Sequence, residues 1–496
     1  MNNKVILIVR DGWGYRKEEE KNFVKLSATP NTDRLEKEYP TIYIGAAEEW
    51  VGLQKGFVGN SEVGHMTLGA GKIFDKSLKR INNSMESGEF LINLEILKAI
   101  NNVKENNSKL HLVILMQDAG VHSYILHLFE IMRYAKKEGL KDDDVQLHLI
   151  TDGRDENPES GLEFLNEVFE NMETMQLGRV ATISGRYYAM DRNKNWERTE
   201  KFYQAVVNAK SDEIFDCGKQ IIFNSYQNEK ITDEFLIPKV KEGYEGLKEN
   251  DSLIFLNFRK DRPRQFTKAL IDDDFNSFER GEKKNIYFLS MTRYYKEQKS
   301  PVIFEDEIIK NTLGEILEEN KKTQLRIAET EKFAHVTFFF DGGVKKDFSG
   351  KKEILIPSPN VETYDLKPEM SAGEVTEKLI EEINDNQPDF IFVNYANPDM
   401  VGHTGNFEAI QKAVEVVDEE VGKLVKAGQE NGYSILLTAD HGNVEDKREE
   451  TKTTHTMSLV PLTIIADKEN LEKVSLVKIK GLADIKKIIL DFMDLR

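Results

Sequence analysis

The sequence has 496 residues, of which 39% are hydrophobic and 31% charged, and its formal net charge is −19. These proportions predict a globular protein of two or three domains rather than a disordered chain, and the acidic excess argues against non-specific binding to nucleic acid or to an anionic membrane. The single cysteine, Cys217, excludes an internal disulfide framework and a multi-cysteine metal site.

The apolar runs of the chain are short. LVILM (112–116) and VTFFF (336–340) have the length of strands, well below the ~18–20 residues that span a bilayer. The first residues, MNNKVILIVRDGWG, pass quickly into charge and glycine, unlike a signal peptide. The sequence therefore predicts a cytoplasmic protein without a membrane partner.

Four β-rich runs end in the same way, with an acidic residue within two residues of the end of the run. In chain order these residues are Asp11, Asp152, Asp399 and Asp440. Continuous apolar runs indicate strands that are buried on both faces of a parallel sheet. Ligands of such sheets bind beyond the carboxyl ends of the strands, where these aspartates fall.

Helical patterns alternate with these runs, at 371–385 and 406–429. In the second, Ile410, Val414, Val417 and Val421 share one side of the predicted helix. Alternating strands and helices predict an α/β fold with a parallel-type sheet flanked by helices.

Two kinds of candidate site occupy different parts of the chain. Carboxylate and histidine clusters lie before about residue 75 and after about residue 395, whereas arginine-rich glycine motifs lie between about 120 and 265. The simplest arrangement is a discontinuous domain, residues 1–76 and 311–496, that binds metal. A second α/β domain, residues 77–310, is inserted into it and binds substrate.

The metal-type residues are three carboxylates and three imidazoles: Asp11, Asp399, His403, Asp440, His441 and His455. Oxygen and nitrogen ligands without thiolate favour manganese, zinc or a similar divalent metal, and six ligands suggest two metals. We expect Gly442 to permit the turn that lets Asp440 and His441 face one site. Taken singly, these residues are equally typical of ordinary loop aspartates and core histidines.

Ser61 lies between glycines in Gly59-Asn60-Ser61-Glu62-Val63-Gly64-His65. A serine on a tight turn is a candidate nucleophile when a base or a metal lowers its pKa. The alternative is that Ser61 caps the following helix.

The middle of the chain supplies cations and a candidate acid/base. Five arginines stand on glycine- or aromatic-flanked segments: Arg154, Arg186, Arg192, Arg259 and Arg262. Guanidinium groups suit phosphate and carboxylate, although each arginine also has an aspartate nearby and the set is compatible with surface ion pairs. Asp155 is a candidate general base, and His122 a further ligand to the anion.

Nine motifs of the chain, in this order, resemble the 2,3-bisphosphoglycerate-independent phosphoglycerate mutases of the alkaline phosphatase superfamily. They are GNSEVGH, TDGRD, GRYYAMDR, NFRxDR, EKFAHVTFFF, IPSP, TYDLKPEMSA, NPDMVGHTG and TADHGN, and with their flanks they span about Val5 to Pro461. The resemblance implies a cytoplasmic isomerase, usually a monomer, that interconverts 3-phosphoglycerate and 2-phosphoglycerate in glycolysis through a phosphoserine.

The resemblance also implies a role for each matching residue. Ser61 would become phosphorylated. One metal, usually manganese, would be held by Asp399, His403 and His455, and the other by Asp11, Ser61, Asp440 and His441. The substrate contacts would be His122, Arg154, Asp155, Arg186, Arg192, Arg259, Arg262 and Lys332, with Asp155 as the acid/base and Lys332 beside the phosphoryl group.

The chain departs from the family pattern at Ala119, Tyr124, Asn195 and Asp341, which bears on substrate affinity and pH dependence. The metal ligands and serine alone also suit a phosphopentomutase or a metal-dependent phosphatase, and the arginine motifs favour the mutase over these. A non-catalytic metabolite sensor is disfavoured, because none of the proposed catalytic residues has been lost.

Overall fold

A computed structural model describes residues 3–75 and 77–495. Within these ranges the strands are β1 (Lys4–Arg10), β2 (Thr41–Ile44), β3 (Leu110–Leu115), β4 (Val145–Thr151), β5 (Arg179–Gly185), β6 (Ile214–Phe215), β7 (Lys239–Lys241), β8 (Ser252–Phe255), β9 (Tyr287–Thr292), β10 (Val302–Phe304), β11 (Gln324–Glu329), β12 (Lys351–Ile356), β13 (Phe390–Tyr395), β14 (Tyr433–Thr438) and β15 (Val460–Ile465).

The α-helices of the same ranges are α1 (Phe23–Leu26), α2 (Pro30–Glu38), α3 (Ser61–Ala70), α4 (Ser77–Glu86), α5 (Leu94–Asn106), α6 (Ile125–Lys137), α7 (Gly161–Met175), α8 (Arg186–Ala189), α9 (Trp196–Asn208), α10 (Gly218–Asn224), α11 (Arg264–Ile271), α12 (Leu313–Glu319), α13 (Thr330–Ala334), α14 (Ala372–Asp385), α15 (Asn397–Gly402), α16 (Phe407–Glu430), α17 (Lys468–Lys473) and α18 (Ile485–Phe492). None of the helices in these ranges is both long and apolar enough to cross a membrane.

The chain divides into two compact units. Unit 1 comprises Met1–Lys76 and Ile308–Arg496, and unit 2 comprises Ser77–Glu307. The sequence-based boundaries were 76/77 and 310/311.

Unit 1 contains a seven-stranded sheet in the order β12-β11-β13-β1-β14-β15-β2. The five strands from β12 to β14 are parallel, whereas β15 pairs antiparallel with β14 and with β2. The sheet is therefore mixed rather than wholly parallel. Continuous apolar runs report burial on both faces, and they carry no information about strand direction.

The long helix α16 packs on the core of unit 1 through the predicted side. Ile410, Val414, Val417 and Val421 are all completely buried. Asn406 caps this helix by accepting from the backbone N–H of Ala409. Helical spacing therefore identified the buried face of this element correctly.

The VTFFF run does not form a strand. It continues from α13 into a π-helical turn, His335–Phe339, and the ring of the next residue, Phe340, packs with its centroid 4.4 Å from that of Phe392. Short apolar runs do not distinguish a buried strand from a buried helical turn. The LVILM run, in contrast, lies in β3 and the residue that follows it.

Unit 2 contains an eight-stranded sheet in the order β10-β9-β8-β3-β4-β5-β7-β6. Its strands run in one direction except for β7, which pairs antiparallel with β5, and β6, which pairs parallel with β7. The predicted arginine motifs follow β4, β5 and β8. These three strands are parallel, so the motifs lie at the same carboxyl edge of the sheet, with β3 between β8 and β4.

Candidate active site

Ser61 is the first residue of α3, and its side chain is buried. Asn60 caps the helix by accepting from the backbone N–H of Val63 at 3.1 Å, so the alternative in which Ser61 is the cap is wrong. The Ser61 hydroxyl instead donates to Asp11 Oδ1 at 3.0 Å and lies 3.0 Å from His441 Nε2. Capping by Asn60 leaves the serine oxygen available to the site.

Lys332, in α13 after β11, is buried beside this serine. Its Nζ donates to Ser61 Oγ at 2.7 Å, to Asp11 Oδ1 at 2.8 Å and to Asp399 Oδ2 at 2.6 Å. Burial alone would lower the pKa of Lys332, but Asp11 and Asp399 outweigh it and raise that pKa. Lys332 is therefore a charged ammonium group among the carboxylates of unit 1. The arginines that were predicted as substrate contacts together with Lys332 belong to unit 2.

Asp399, His403 and His455 form a group whose ligand atoms lie within 4.8 Å of one another. His403 Nδ1 faces the carbonyl of Thr453 at 2.8 Å, and His455 Nδ1 faces that of Gly59 at 2.9 Å. Each Nδ1 therefore donates to a backbone carbonyl, and the two Nε2 atoms, 3.0 Å apart, both face Asp399 Oδ1, at 3.2 Å for His403 and 3.0 Å for His455. Two imidazole nitrogens converging with a carboxylate fit a divalent cation.

Asp11, Ser61, Asp440 and His441 also come together, at the ends of β1 and β14 and the start of α3. His441 Nε2 lies 3.3 Å from Asp11 Oδ1 and 3.5 Å from Asp440 Oδ2. Asp440 Oδ2 is buried and accepts no hydrogen bond from residues 3–75 or 77–495. The geometrically compact groups here are Asp11–Asp399–His441 and Asp11–His65–Asp440, so the predicted second ligand set spans two overlapping groups.

The acidic and basic side chains of this cluster stabilise one another in their charged forms. Burial alone would lower the pKa of His441, but Asp440 and Asp11 raise it to about 10. Burial opposes ionisation of Asp11 and Asp399, yet the Lys332 ammonium and neighbouring histidines hold the pKa of both carboxyls below its ordinary value. An arrangement that retains a proton on a buried histidine equally favours a divalent cation.

Three further side chains, which the sequence-based ligand sets omit, orient these groups. Asn394 Nδ2 donates to Asp11 Oδ2 at 2.7 Å and lies 2.9 Å from His65 Nε2. Asn443 Nδ2 donates to Asp399 Oδ1 at 2.7 Å. His65 and Asn443 stand inside motifs already singled out, and Asn394 is a polar residue in the apolar run FIFVNY, which signals a buried partner.

In unit 2, Arg186 lies among the groups that follow β3 and β4. Its Nη1 donates to Asp152 Oδ1 at 2.6 Å and to Asp155 Oδ2 at 2.5 Å, and its Nη2 donates to His122 Nε2 at 3.1 Å. The guanidinium is buried. Arg186 therefore links the His122 and Asp155 motifs, and Asp152 is a further charged member of this site.

Arg186 also influences the protonation of its neighbours. Burial and the Arg186 charge lower the pKa of His122 to about 3, so the ring is neutral. Since Nε2 accepts from Arg186, the proton is on Nδ1, which is buried and has no hydrogen-bond partner in the described part of the chain. Burial opposes ionisation of Asp155, but Arg186 lowers the pKa of that carboxyl. The unit 2 site thus combines the His122 Nδ1–H, which has no partner among the described residues, with the ionised carboxylate of Asp155.

Three of the other arginines, Arg154, Arg192 and Arg259, are more exposed and pair with acidic residues, as the ion-pair alternative expects. Arg262 instead donates to the backbone carbonyl of Met190 at 3.0 Å. Arg192 Nη1 donates to Asp261 at 2.8 Å, Arg259 lies 3.5 Å from the same residue, and Arg154 lies 3.6 Å from Glu234. A cavity of about 300 Å³ nevertheless brings four of the five predicted arginines together. It is lined by Arg154, Arg186, Arg192, Arg262, Tyr187 and Glu234 among others, and its lining does not include Arg259, His122 or Asp155.

The departures from the family pattern fall on different parts of the two units. Asp341 is buried in unit 1, 3.8 Å from Arg326 Nη2 and 3.4 Å from Lys351 Nζ, and it is in none of the groups that fit a metal. Asn195 Nδ2 donates to Asp191 Oδ2 at 3.0 Å, and Asp191 directly precedes Arg192 in the sequence. Tyr124 precedes α6, and the Ala119 N–H donates to Glu156.

Comparison with known proteins gives consistent results. Residues 3–496 match a family model described as Metalloenzyme superfamily. A 2,3-bisphosphoglycerate-independent phosphoglycerate mutase of Clostridioides difficile (strain 630) is 46% identical, and the alignment covers 100% of this chain and 97% of the relative. The protein of the same name from Francisella tularensis subsp. novicida (strain U112) is 44% identical, with 95% of this chain and 92% of the relative covered.

Among solved structures, this chain is similar to Leishmania mexicana phosphoglycerate mutase, crystallised at low cobalt concentration. The two share 27% identity with a TM-score of 0.69, and the alignment covers 100% of this chain and 96% of the other.

Proposed function

The chain belongs to the 2,3-bisphosphoglycerate-independent phosphoglycerate mutases, the isomerases that interconvert 3-phosphoglycerate and 2-phosphoglycerate, and we propose that Ser61 carries the phosphoryl group between the two positions. The observation that carries this proposal is the contact of Ser61 Oγ with Asp11, Lys332 and His441, all within 3.0 Å. In this proposal unit 1 is the metal-binding phosphatase domain and unit 2 the substrate-binding transferase domain.

The residues of unit 1 fit two divalent metals, which we propose to be Mn²⁺. Asp399, His403 and His455 would hold one, and Asp11, Ser61, Asp440 and His441 the other. When bound, such metals lower the pKa of a coordinated hydroxyl and neutralise phosphoryl oxygens. The mixed oxygen and nitrogen donors, without thiolate, agree with manganese.

Ser61 and Lys332 would perform the covalent step. The serine hydroxyl donates its proton towards Asp11 Oδ1, which orients an oxygen lone pair for attack. Lys332 Nζ donates to Ser61 Oγ. Its positive charge would therefore stabilise the serine oxygen as the hydroxyl proton leaves, and later the oxygens of the transferred phosphoryl group. The bond from phosphorus to the glycerate oxygen breaks as the bond to Ser61 Oγ forms.

The charged groups of unit 2 would hold the glycerate. Arg154, Arg186, Arg192, Arg259 and Arg262 would bind its carboxylate and the phosphoryl oxygens. The unpartnered Nδ1–H of His122 supplies a buried donor for another substrate oxygen.

Asp155 would return a proton to the oxygen that loses the phosphoryl group and remove one from the hydroxyl that receives it. Arg186 favours the ionised form of Asp155. A substrate anion that competes for Arg186 would weaken that effect and raise the pKa of Asp155, which lets the carboxyl act in both directions.

In the cell we propose a cytoplasmic, monomeric enzyme whose partner is the small phosphoglycerate substrate, with no nucleic-acid or membrane partner. Its reaction is a step of glycolysis and gluconeogenesis.

The test is conversion of 3-phosphoglycerate in an enolase-coupled assay without 2,3-bisphosphoglycerate. We expect turnover that a chelator abolishes, and phosphate on Ser61 in protein trapped during turnover and analysed by mass spectrometry. Ser61→Ala should reduce turnover to background.

Ser434→Ala, which removes another buried serine of unit 1 that accepts from Asn470, is the matched control and should remain active. Turnover by Ser61→Ala, or phosphate on another residue, would contradict the assignment. Release of free phosphate without 2-phosphoglycerate would indicate a phosphatase instead.

A further inference from the structure

Glu445 is a completely buried carboxylate that follows the Asp440-His441-Gly442-Asn443 segment. Its Oε2 accepts from the backbone N–H of Gly14 at 3.1 Å and of Asn443 at 2.8 Å. Its Oε1 accepts from the Thr456 hydroxyl. One side chain thus joins its own loop, at Asn443, to two further segments, at Gly14 and Thr456.

Each of these segments carries a proposed metal ligand. Gly14 is three residues after Asp11, Asn443 is two residues after His441, and Thr456 directly follows His455. The Asn443 side chain extends the connection, because its Nδ2 donates to Asp399 Oδ1 at 2.7 Å. Ligand residues of both proposed metals are therefore joined through Glu445 or its immediate partner.

Two glycines leave the space that this carboxylate fills. A Cβ on Gly14 would lie 2.3 Å from Glu445 Cδ, and a Cβ on Gly442 would lie 2.2 Å from Thr456 Oγ1 and 2.6 Å from Glu445 Oε1. Neither glycine has a positive φ. Gly442 is therefore required for close approach rather than for its backbone conformation, and the expectation that it permits the turn of Asp440 and His441 towards one site stays a prediction.

We propose that Glu445 is a positioning residue that fixes the ligand-bearing segments relative to one another and so sets the affinity of the site for divalent metal. The inference rests on the proposed function for the position of the metals. A carboxylate suits this role because it accepts several hydrogen bonds at once, which a hydroxyl or an apolar side chain does not. Hydrogen-bond partners of metal ligands commonly change metal affinity by about 10–100-fold when they are removed.

The experiment measures the dissociation constant for Mn²⁺ of the full-length protein, by competition with a fluorescent chelator. We expect Glu445→Ala to bind Mn²⁺ about 10–100-fold more weakly than wild type, with part of the turnover restored at saturating Mn²⁺. Glu445→Gln should stay close to wild type, since the amide oxygen accepts from both N–H groups and the amide nitrogen donates to Thr456. Thr456→Val, which removes one donor, should fall between them.

The matched control is Glu382→Ala, which removes another buried carboxylate of unit 1. Glu382 lies on α14 and accepts from Lys352 of β12 and from Asn386. If Glu445→Ala binds Mn²⁺ as tightly as wild type, or if Glu382→Ala loses the same affinity, the inference is overturned. Should Glu445→Ala fail to fold, wild-type affinity in Thr456→Val overturns it equally. Absence of Mn²⁺ binding by the wild-type protein would overturn the metal assignment itself, and the inference with it.

Discussion

The two candidate sites both lie at the carboxyl ends of parallel strands, but they differ in burial. In unit 1, Asp11, Ser61, Lys332, Asp440 and His441 are all buried. In unit 2, Arg186 is buried, whereas about half of each side chain is exposed for Arg154, Arg192 and Arg259.

This difference separates two requirements of the proposed reaction. Buried charges interact strongly and keep fixed partners, which suits a nucleophile that attacks phosphorus from one direction. Exposed arginines change partners at little free-energy cost, which suits the binding of a glycerate that has to present two different hydroxyl groups. Arg186 is the exception, a buried cation within the more exposed site.

The strongest test of this comparison contrasts two arginines of unit 2. Arg186→Met leaves Asp152 and Asp155 without their buried partner and should lower the free energy of unfolding of unit 2 by about 3–5 kcal/mol. Arg192→Met breaks an exposed pair with Asp261 and should cost about 0–1 kcal/mol. Hydrogen exchange of the amides of β4 and β5 measures both values, and equal losses would show that burial does not separate the two arginines.

A second test compares two lysines of unit 1 whose side chains are little exposed. Lys332→Met removes the cation that contacts Ser61 and should lower kcat/KM about 10²–10³-fold, the usual effect of losing one donor to developing negative charge. Lys351→Met removes a lysine that pairs with Asp341 and Glu353, and kcat/KM should change little. The coupled assay gives both values; a similar loss in the two variants would mean that buried charge in general, rather than Lys332, supports catalysis.

Much of the unit 1 site could be predicted, because Asp11, Asp399 and Asp440 each directly follow a strand or open the helix after it, and parallel strands bring their ends together. The role of Lys332 came from the family resemblance alone, since its surroundings in sequence, TEKFAHV, are those of an ordinary helix. Glu445 could not be predicted either. A glutamate after a loop is typical of a surface charge, and its partners Gly14 and Thr456 become its neighbours only when the chain folds.

The strands of both units could be predicted only in part. Continuous apolar runs located β3 and β4, but the same kind of run in VTFFF misled, because burial without a period fits a strand and a helical turn equally well. The antiparallel direction of β7 and β15 was also unpredictable, since residue patterns fix which faces are buried and leave strand direction open.

The smallest expected effect concerns a buried carboxylate outside both sites. Glu329, at the end of β11, is 1% exposed and accepts from the Ser371 N–H and the Ser358 hydroxyl. Burial, together with Glu374 and Glu331, raises the pKa of Glu329 from 4.5 to about 7. Between these values the unfolded chain releases a proton that the folded chain retains, so this contribution to stability is complete below pH 4.5 and is lost as pH rises through 7.

Glu329→Gln does not titrate and should therefore gain stability relative to wild type, by at most about 3 kcal/mol, when the pH is raised from 5 to 8. Hydrogen exchange of the β11 amides at the two pH values measures the change. Glu382→Gln is the control: burial opposes ionisation of Glu382, but Lys352 and Asn386 lower its pKa. The contribution of that carboxylate is therefore complete above pH 4.5 and is lost only at lower pH, so the stability of Glu382→Gln relative to wild type should change little between about pH 5 and 8. Equal pH responses in the two variants would contradict the assigned difference between a buried carboxylate with a cation and one without.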